Sequence, residues 1–136
     1  MDQQAIHILH KTYTEKLRPT PAQERALEDV LWRCRDLYNA ALEQRITAWQ
    51  RRRVSLSRYE QETELKDIRA EFPEYEAIHS HVLQDVLARL DETSQAFFRR
   101  VKRGEKAGFP RFKGGAATAP SPLRSMATAR GWTIAS

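Results

Sequence analysis

Apolar positions recur with two different periods along this chain. Over residues 5–18 they alternate, with His7, Leu9, Lys11, Tyr13, Glu15 and Leu17 on one face and Ile6, Ile8, His10, Thr12, Thr14 and Lys16 on the other. Thr, Tyr and Ile suit a pleated, half-buried surface, so the stretch reads as a strand, ended by Pro19. A single strand does not stand alone, and its partners must come from elsewhere. From Leu27 onward the spacing changes to three and four: Leu27, Val30, Leu31, Cys34, Leu37, Tyr38, Ala41, Leu42 and, after a gap, Trp49. Thr20 and Gln23 form a capping box, and Pro21 takes the first helical position. No Gly or Pro interrupts residues 22–53. The pattern predicts one unbroken helix, far longer than the usual ~11–12 residues.

A second capping box, Ser57 with Glu60, opens another helix that carries Leu65 and Ile68 inward and ends near Phe72-Pro73. Residues 74–79 read as a turn or a single helical turn. Ser80 can cap a third helix, with Val82, Leu83, Val86, Leu87, Leu90, Phe97, Phe98 and Val101 on one face, Thr93 and Ser94 filling the gap, and Gly104 as terminator. Three amphipathic helices on short links imply an antiparallel three-helix bundle. The expected class is mainly α, with one N-terminal β-strand. Residues 115–136, rich in Ala, Ser, Thr and Pro and free of acids, have the composition of a disordered tail. Trp132 and Ile134 stand isolated in it.

Charge adds a centre to this picture. The chain carries +5 overall, yet Phe97 to Lys113 holds Arg99, Arg100, Lys102, Arg103, Lys106, Arg111 and Lys113 against Glu105 alone. Such a block attracts a polyanion through counterion release, and Phe109 and Phe112 offer faces on which bases could stack. The alternative is a solvated basic helix end followed by a turn. Arg51, Arg52 and Arg53 could contact a phosphate backbone, or could simply complement the dipole of a helix C-terminus. Tyr38 and Asn39 could read a base or phosphate; otherwise Tyr38 packs at the core edge beside an exposed Asn39.

Other chemistry is thin. No nucleophile motif, phosphate-binding Gly loop or His-Glu-x-x-His is present. Cys34 is the single cysteine, so no intrachain disulfide forms. His7, His10, His79 and His81 make no zinc spacing with it, and His79 and His81, two apart, face different sides of a helix. Asp and Glu fall at helical positions expected to face solvent. Met1 is followed by no basic or apolar leader, and no apolar run approaches the ~20 residues of a membrane span. A cytoplasmic protein without cofactor, metal, small-molecule substrate or membrane attachment is the expectation.

Several runs resemble one family. Lys11-Thr-Tyr, Leu17-Arg-Pro-Thr-Pro-Ala-Gln-Glu24, Trp32-Arg-Cys-Arg, Leu37-Tyr-Asn-Ala-Ala-Leu42, His81-Val-Leu-Gln-Asp-Val-Leu87, Phe97-Phe-Arg-Arg100 and Gly108-Phe-Pro-Arg-Phe-Lys113 occur in the order and spacing of the N-terminal part of TnpB/OrfB insertion-sequence proteins. The resemblance covers about residues 5–114. It implies a relative of RNA-guided DNA endonucleases, in which the first strand joins a β-barrel wedge, a helical recognition lobe follows, and the Pro-Arg-Phe-Lys segment returns to the barrel. On that reading residues 1–19 are a barrel fragment, 20–104 the helical lobe and 105–114 a basic return segment. The helical region is commonly called a helix-turn-helix, although residues 20–53 read as one helix without a turn. The family's RuvC-like nuclease, with three acidic residues, and its four-cysteine zinc ribbon would lie beyond this chain's end, so no cleavage activity is expected.

The implied partner is nucleic acid, a guide-type RNA or DNA, met mostly through backbone and shape. Besides the basic block, Tyr38, Asn39 and Arg51–Arg53, the resemblance brings Lys11, Lys16 and Arg18 into the candidate surface. A decaying gene product without binding, and an autonomous DNA-binding regulator of its own element, stay open as alternatives. Residues from about Gly115 read as a frameshift product. Met126-Ala-Thr-Ala-Arg-Gly-Trp-Thr-Ile-Ala-Ser136 is close to what GC-rich codons for the family's usual continuation give when read one base later. The gene tests this. The alternative frame after the Lys113 codon should encode barrel strands, an acidic nuclease motif and paired cysteines; a frame encoding none of these makes the tail a genuine C-terminus.

Overall fold

The computed structural model describes residues 20–114 and Leu123. Among the described residues four helices follow in order: α1 over Pro21–Arg52, α2 over Arg58–Glu71, α3 over Pro73–Glu76 and α4 over Ser80–Lys102. No strand occurs among the described residues, and the strand expected over 5–18 lies outside them. Nor is any described helix long and apolar enough to cross a membrane.

Helix α1 begins as its sequence dictates. The Thr20 hydroxyl accepts from Gln23 N at 3.2 Å, and the Gln23 side chain accepts from Thr20 N at 2.8 Å, satisfying two of the donors that a helix start leaves unpaired. The helix then runs 32 residues without interruption. It ends at Arg53, whose φ of 52° is left-handed and whose N–H reaches the carbonyls of Ala48 and Trp49. Helix α2 opens with the reciprocal Ser57–Glu60 bonds, 3.1 and 2.9 Å. The single turn α3 resolves the ambiguity over residues 74–79.

Helix α4 departs from expectation at its start. The cap is His79, not Ser80: its Nδ1 accepts from His81 N at 3.2 Å, and the two rings stack with centroids 5.0 Å apart. Placing these histidines on different sides of a helix fails because His79 precedes the helix. The other end follows the sequence, with Gly104 at φ 79° just past the last turn.

The path is up, down, up. Gln61, early in α2, bonds the Ala41 carbonyl, Gln44 and Arg45 late in α1, so these helices run antiparallel. Asp91 of α4 bonds Arg45, and Phe98, two turns on, touches Trp49. Helices α1 and α4 therefore run parallel, and their C-termini share one end of the bundle with the start of α2.

The core comprises Leu31, Cys34, Leu37, Tyr38, Ala41 and Leu42 of α1, Leu65 and Ile68 of α2, Tyr75 and Ile78, and Leu83, Val86, Leu87 and Leu90 of α4. Each fully buried leucine contributes roughly 1.5–3 kcal/mol by leaving water. Leu123 completes the core. It is fully buried against a cavity wall of Leu37, Ala40, Ala41, Ile68 and Leu87. Leu123 falls in the stretch expected to be a disordered tail, and it is packed; the remainder of residues 115–136 lies outside the described residues. Val101, expected on the apolar face, is exposed because α4 has by then passed beyond the core.

The expectation that carboxylates face solvent fails at Asp36. It is fully buried and accepts the Tyr75 hydroxyl at 2.9 Å. Burial, reinforced by the Asp36 charge, pushes the Tyr75 phenol above its usual range. Burial also pushes the Cys34 thiol up to about 11, leaving it protonated and unreactive at neutral pH.

Leu42→Ala removes a side chain with no exposure and should cost about 2–5 kcal/mol, whereas Thr20→Ala should cost about 1 kcal/mol. Denaturant melts of both variants check the ranking; equal losses would mean that Leu42 is not core or that Thr20 does more than cap α1.

Candidate nucleic-acid interface

Two basic runs far apart in sequence meet at the shared end of α1 and α4. The junction is aromatic. Trp49 meets Phe98 edge to face at 4.8 Å, Phe98 meets Phe97 likewise at 5.1 Å, and Phe97 stacks on Phe109 at 4.6 Å. Each such pair adds about 0.5–1.5 kcal/mol beyond its burial. The left-handed turn at Arg53 folds its guanidinium back over the Trp49 ring, 5.3 Å from the centroid. Arg51, Arg52 and Arg53 are thereby brought beside the last turn of α4. Arg99, Arg100, Lys102 and Arg103 are exposed there, as are Arg51, Arg52 and Arg53. One exposed anion pairs weakly in this region, Glu105 with Arg103 at 3.8 Å.

A groove of about 840 Å³ opens between the start of α2 and the end of α4. Its walls include Leu56, Arg58, Tyr59, Phe98, Arg99 and Lys102, and its floor holds Arg45 and Asp91. Arg45 is nearly buried and pairs with Asp91 at 3.0 Å. Burial lowers its guanidinium pKa while the Asp91 bond works against that shift. Sequence reasoning missed Arg58 and Tyr59, although their position directly after the Ser57 cap places them on an exposed first turn.

The return segment is docked, not free. Asn39 receives the Lys113 N–H on Oδ1 at 2.7 Å and donates from Nδ2 to the Lys113 carbonyl at 3.1 Å. The side-chain amide thus acts as a one-residue strand partner. The Lys113 ammonium lies 5.0 Å from the centre of the Tyr38 ring. Asn39 is fully buried and Tyr38 nearly so. Neither offers a surface to a base or phosphate, and both leave the candidate interface. Local sequence misleads at these positions because the partner of Asn39 sits 74 residues away, a separation that no local pattern encodes.

The remaining candidates divide by position. Lys106 and Arg111 are exposed on the docked segment, Lys113 is half-buried, and Phe112 is 42% exposed. Phe109 is half-buried, and one of its faces is already covered by Phe97. The segment's anchor at Asn39 lies about 15 Å down the axis of α1 from Trp49, at 1.5 Å per residue. Lys113 is therefore not part of the cationic end. Lys11, Lys16 and Arg18 lie outside the described residues. No group of three or more His, Cys, Asp or Glu able to hold a metal occurs among the described residues.

Comparison with known proteins bears on this surface. Residues 9–53 match a family model described as a helix-turn-helix domain. No curated protein and no solved structure matches the chain. The described part of the matched segment holds α1 alone, with no turn between Pro21 and Arg52.

Asn39→Ala leaves the Lys113 amide and carbonyl without their partners. It should cost about 1–3 kcal/mol and raise hydrogen exchange at the Lys113 amide well above that of the α1 core. An Asn39→Ala protein with unchanged exchange at Lys113 would mean that the Phe97–Phe109 and Lys113–Tyr38 contacts hold the segment without the amide.

Proposed function

We propose that this chain, which carries the helix-turn-helix domain of the OrfB IS605 family over residues 9–53, is a transposase-associated nucleic-acid-binding protein without nuclease activity of its own. One observation carries the reading: Arg51–Arg53 and Arg99–Arg103, almost fifty positions apart in sequence, are gathered at one end of the bundle by the Trp49–Phe98 contact. A helix C-terminus accommodates one such cluster through its dipole. Both α1 and α4 end here, but each C-terminal dipole amounts to only about half a negative charge, so the converging cations Arg51–Arg53, Arg99, Arg100, Lys102 and Arg103 exceed what the two helix ends take up, and a phosphate backbone is the partner they suit.

The geometry favours contact through the end of the bundle. A helix-turn-helix inserts a short recognition helix into a duplex groove. Here α1 is buried around much of its girth between Leu31 and Ala48, so its middle cannot be inserted. The candidate chemistry is charge and shape, which agrees with a guide-type RNA or an RNA–DNA duplex read through its backbone.

Affinity for RNA or DNA should fall steeply with salt, by roughly 0.7–0.9 log units per log unit of salt for each phosphate neutralised. Changing Arg99, Arg100, Lys102 and Arg103 together to Gln should flatten that slope, and changing Arg51, Arg52 and Arg53 as well should flatten it further. Binding titrations across a salt series check both. A slope indifferent to all seven positions would remove the shared end from the interface, and absent binding would favour a chain that has lost its function.

A further inference from the structure

We propose that the groove beside the cationic end is a seat for an unpaired stretch of nucleic acid, with a base against Tyr59 and its phosphates on Arg99 and Lys102. The inference rests on the nucleic-acid reading above and names which form of the polymer this site takes.

Three observations carry it. First, Tyr59 is 78% exposed at the mouth of the groove. At that exposure its ring contributes little burial to the fold. Its flat face suits a nucleobase, and only an unpaired base presents a free face to it. Second, the wall opposite is apolar and fixed. Phe98 is held by Trp49 at 4.8 Å and by Phe97 at 5.1 Å, and Leu56 borders it.

Third, the charges sort themselves. Both anions of the lining are already engaged: Glu62 with Arg58 at 2.8 Å, and Asp91 with Arg45 at 3.0 Å and Gln95 at 2.9 Å. Arg99 and Lys102 have no ion-pair partner among the described residues and are exposed on the same lining. The groove therefore presents uncommitted positive charge beside an aromatic platform. The neighbouring groove of about 570 Å³ on the other side of Tyr59 provides a contrast. By formal count its lining carries two cations, Lys66 and Arg69, and two anions, Glu62 and Glu76, and Arg69 is turned onto the carbonyls of Glu76 and Ile78. It has no comparable excess, so the strand's path is the first groove.

The test compares a single-stranded oligonucleotide with a blunt duplex of the same composition, each as RNA and as DNA, against the full chain. Tyr59→Ala should weaken single-strand binding roughly 5- to 100-fold, the effect of one stacked base, and leave duplex binding within about twofold. Tyr59→Trp should retain the affinity. Fluorescence of 2-aminopurine in the strand should be quenched by the native chain and by Tyr59→Trp but not by Tyr59→Ala. Tyr59 is exposed, so melts of both variants should match the native chain.

Other outcomes overturn the proposal. Tyr59→Ala without effect, or with equal effect on strand and duplex, removes the seat. Duplex-only binding that the arginine variants abolish leaves the nucleic-acid reading standing and the seat refuted. Absence of binding to any of the four polymers refutes both. Tyr59-dependent binding of a poly-glutamate peptide, with strand binding indifferent to Tyr59, reassigns the groove to an acidic protein segment.

Discussion

The buried polar residues Asp36, Asn39, Gln44 and Arg45 of α1 are costly to leave unpaired, and the arrangement of the neighbouring elements follows from where their partners are. An unsatisfied buried donor or acceptor costs about 1–3 kcal/mol, enough to decide between competing packings in a small domain. Asp36 takes the hydroxyl of Tyr75 and thereby fixes α3. Asn39 takes the backbone of Lys113 and fixes the return segment. Gln44 donates to Glu64 at 2.6 Å, and Arg45 donates to Gln61 and Asp91, tying α2 and α4. Glu64 is held with a raised pKa by burial, against the influence of the Gln44 bond. Hydrophobic burial supplies the drive, but it is not directional. These four polar residues tell each neighbouring element which side of α1 to occupy.

That division explains what could be read from sequence. The extents of α1 and α2, both capping boxes and most core leucines follow from local spacing, because period and caps are properties of a few adjacent residues. The polar network does not. Asp36, Asn39, Gln44 and Arg45 look like solvent-facing positions of an amphipathic helix until four other elements, α2, α3, α4 and the return segment, cover them. Leu123 is a harder case. Nothing near it in sequence distinguishes it from its surroundings, yet it is fully buried beside Leu37 and Leu87. The His79 cap is masked in the sequence by a better candidate, Ser80, one position later.

The candidate interface was half legible for the same reason. Both basic runs are visible as runs, and their exposure follows from their composition. Their convergence depends on α1 and α4 being parallel, which comes from chain path and not from any motif. The aromatic row that joins them is split between Trp49 on α1, Phe97 and Phe98 on α4, and Phe109 on the return segment. Residues 9–53 match a helix-turn-helix model, and the described part of that segment is one unbroken helix whose middle is enclosed.

The left-handed residue that ends α1 has a consequence for how this protein could be made more stable. Helices commonly end on a glycine, which adopts positive φ without steric conflict. Arginine at φ 52° carries a backbone penalty of order 1–2 kcal/mol. A glycine at position 53 would relieve that strain, but it would also delete the guanidinium lying over Trp49 and one charge of the shared end. Stability and surface potential are therefore opposed at a single position. A chain drifting without selection for its cations would be free to relax there, so the residue found at this turn in related sequences is a record of whether the charged end has been kept in use.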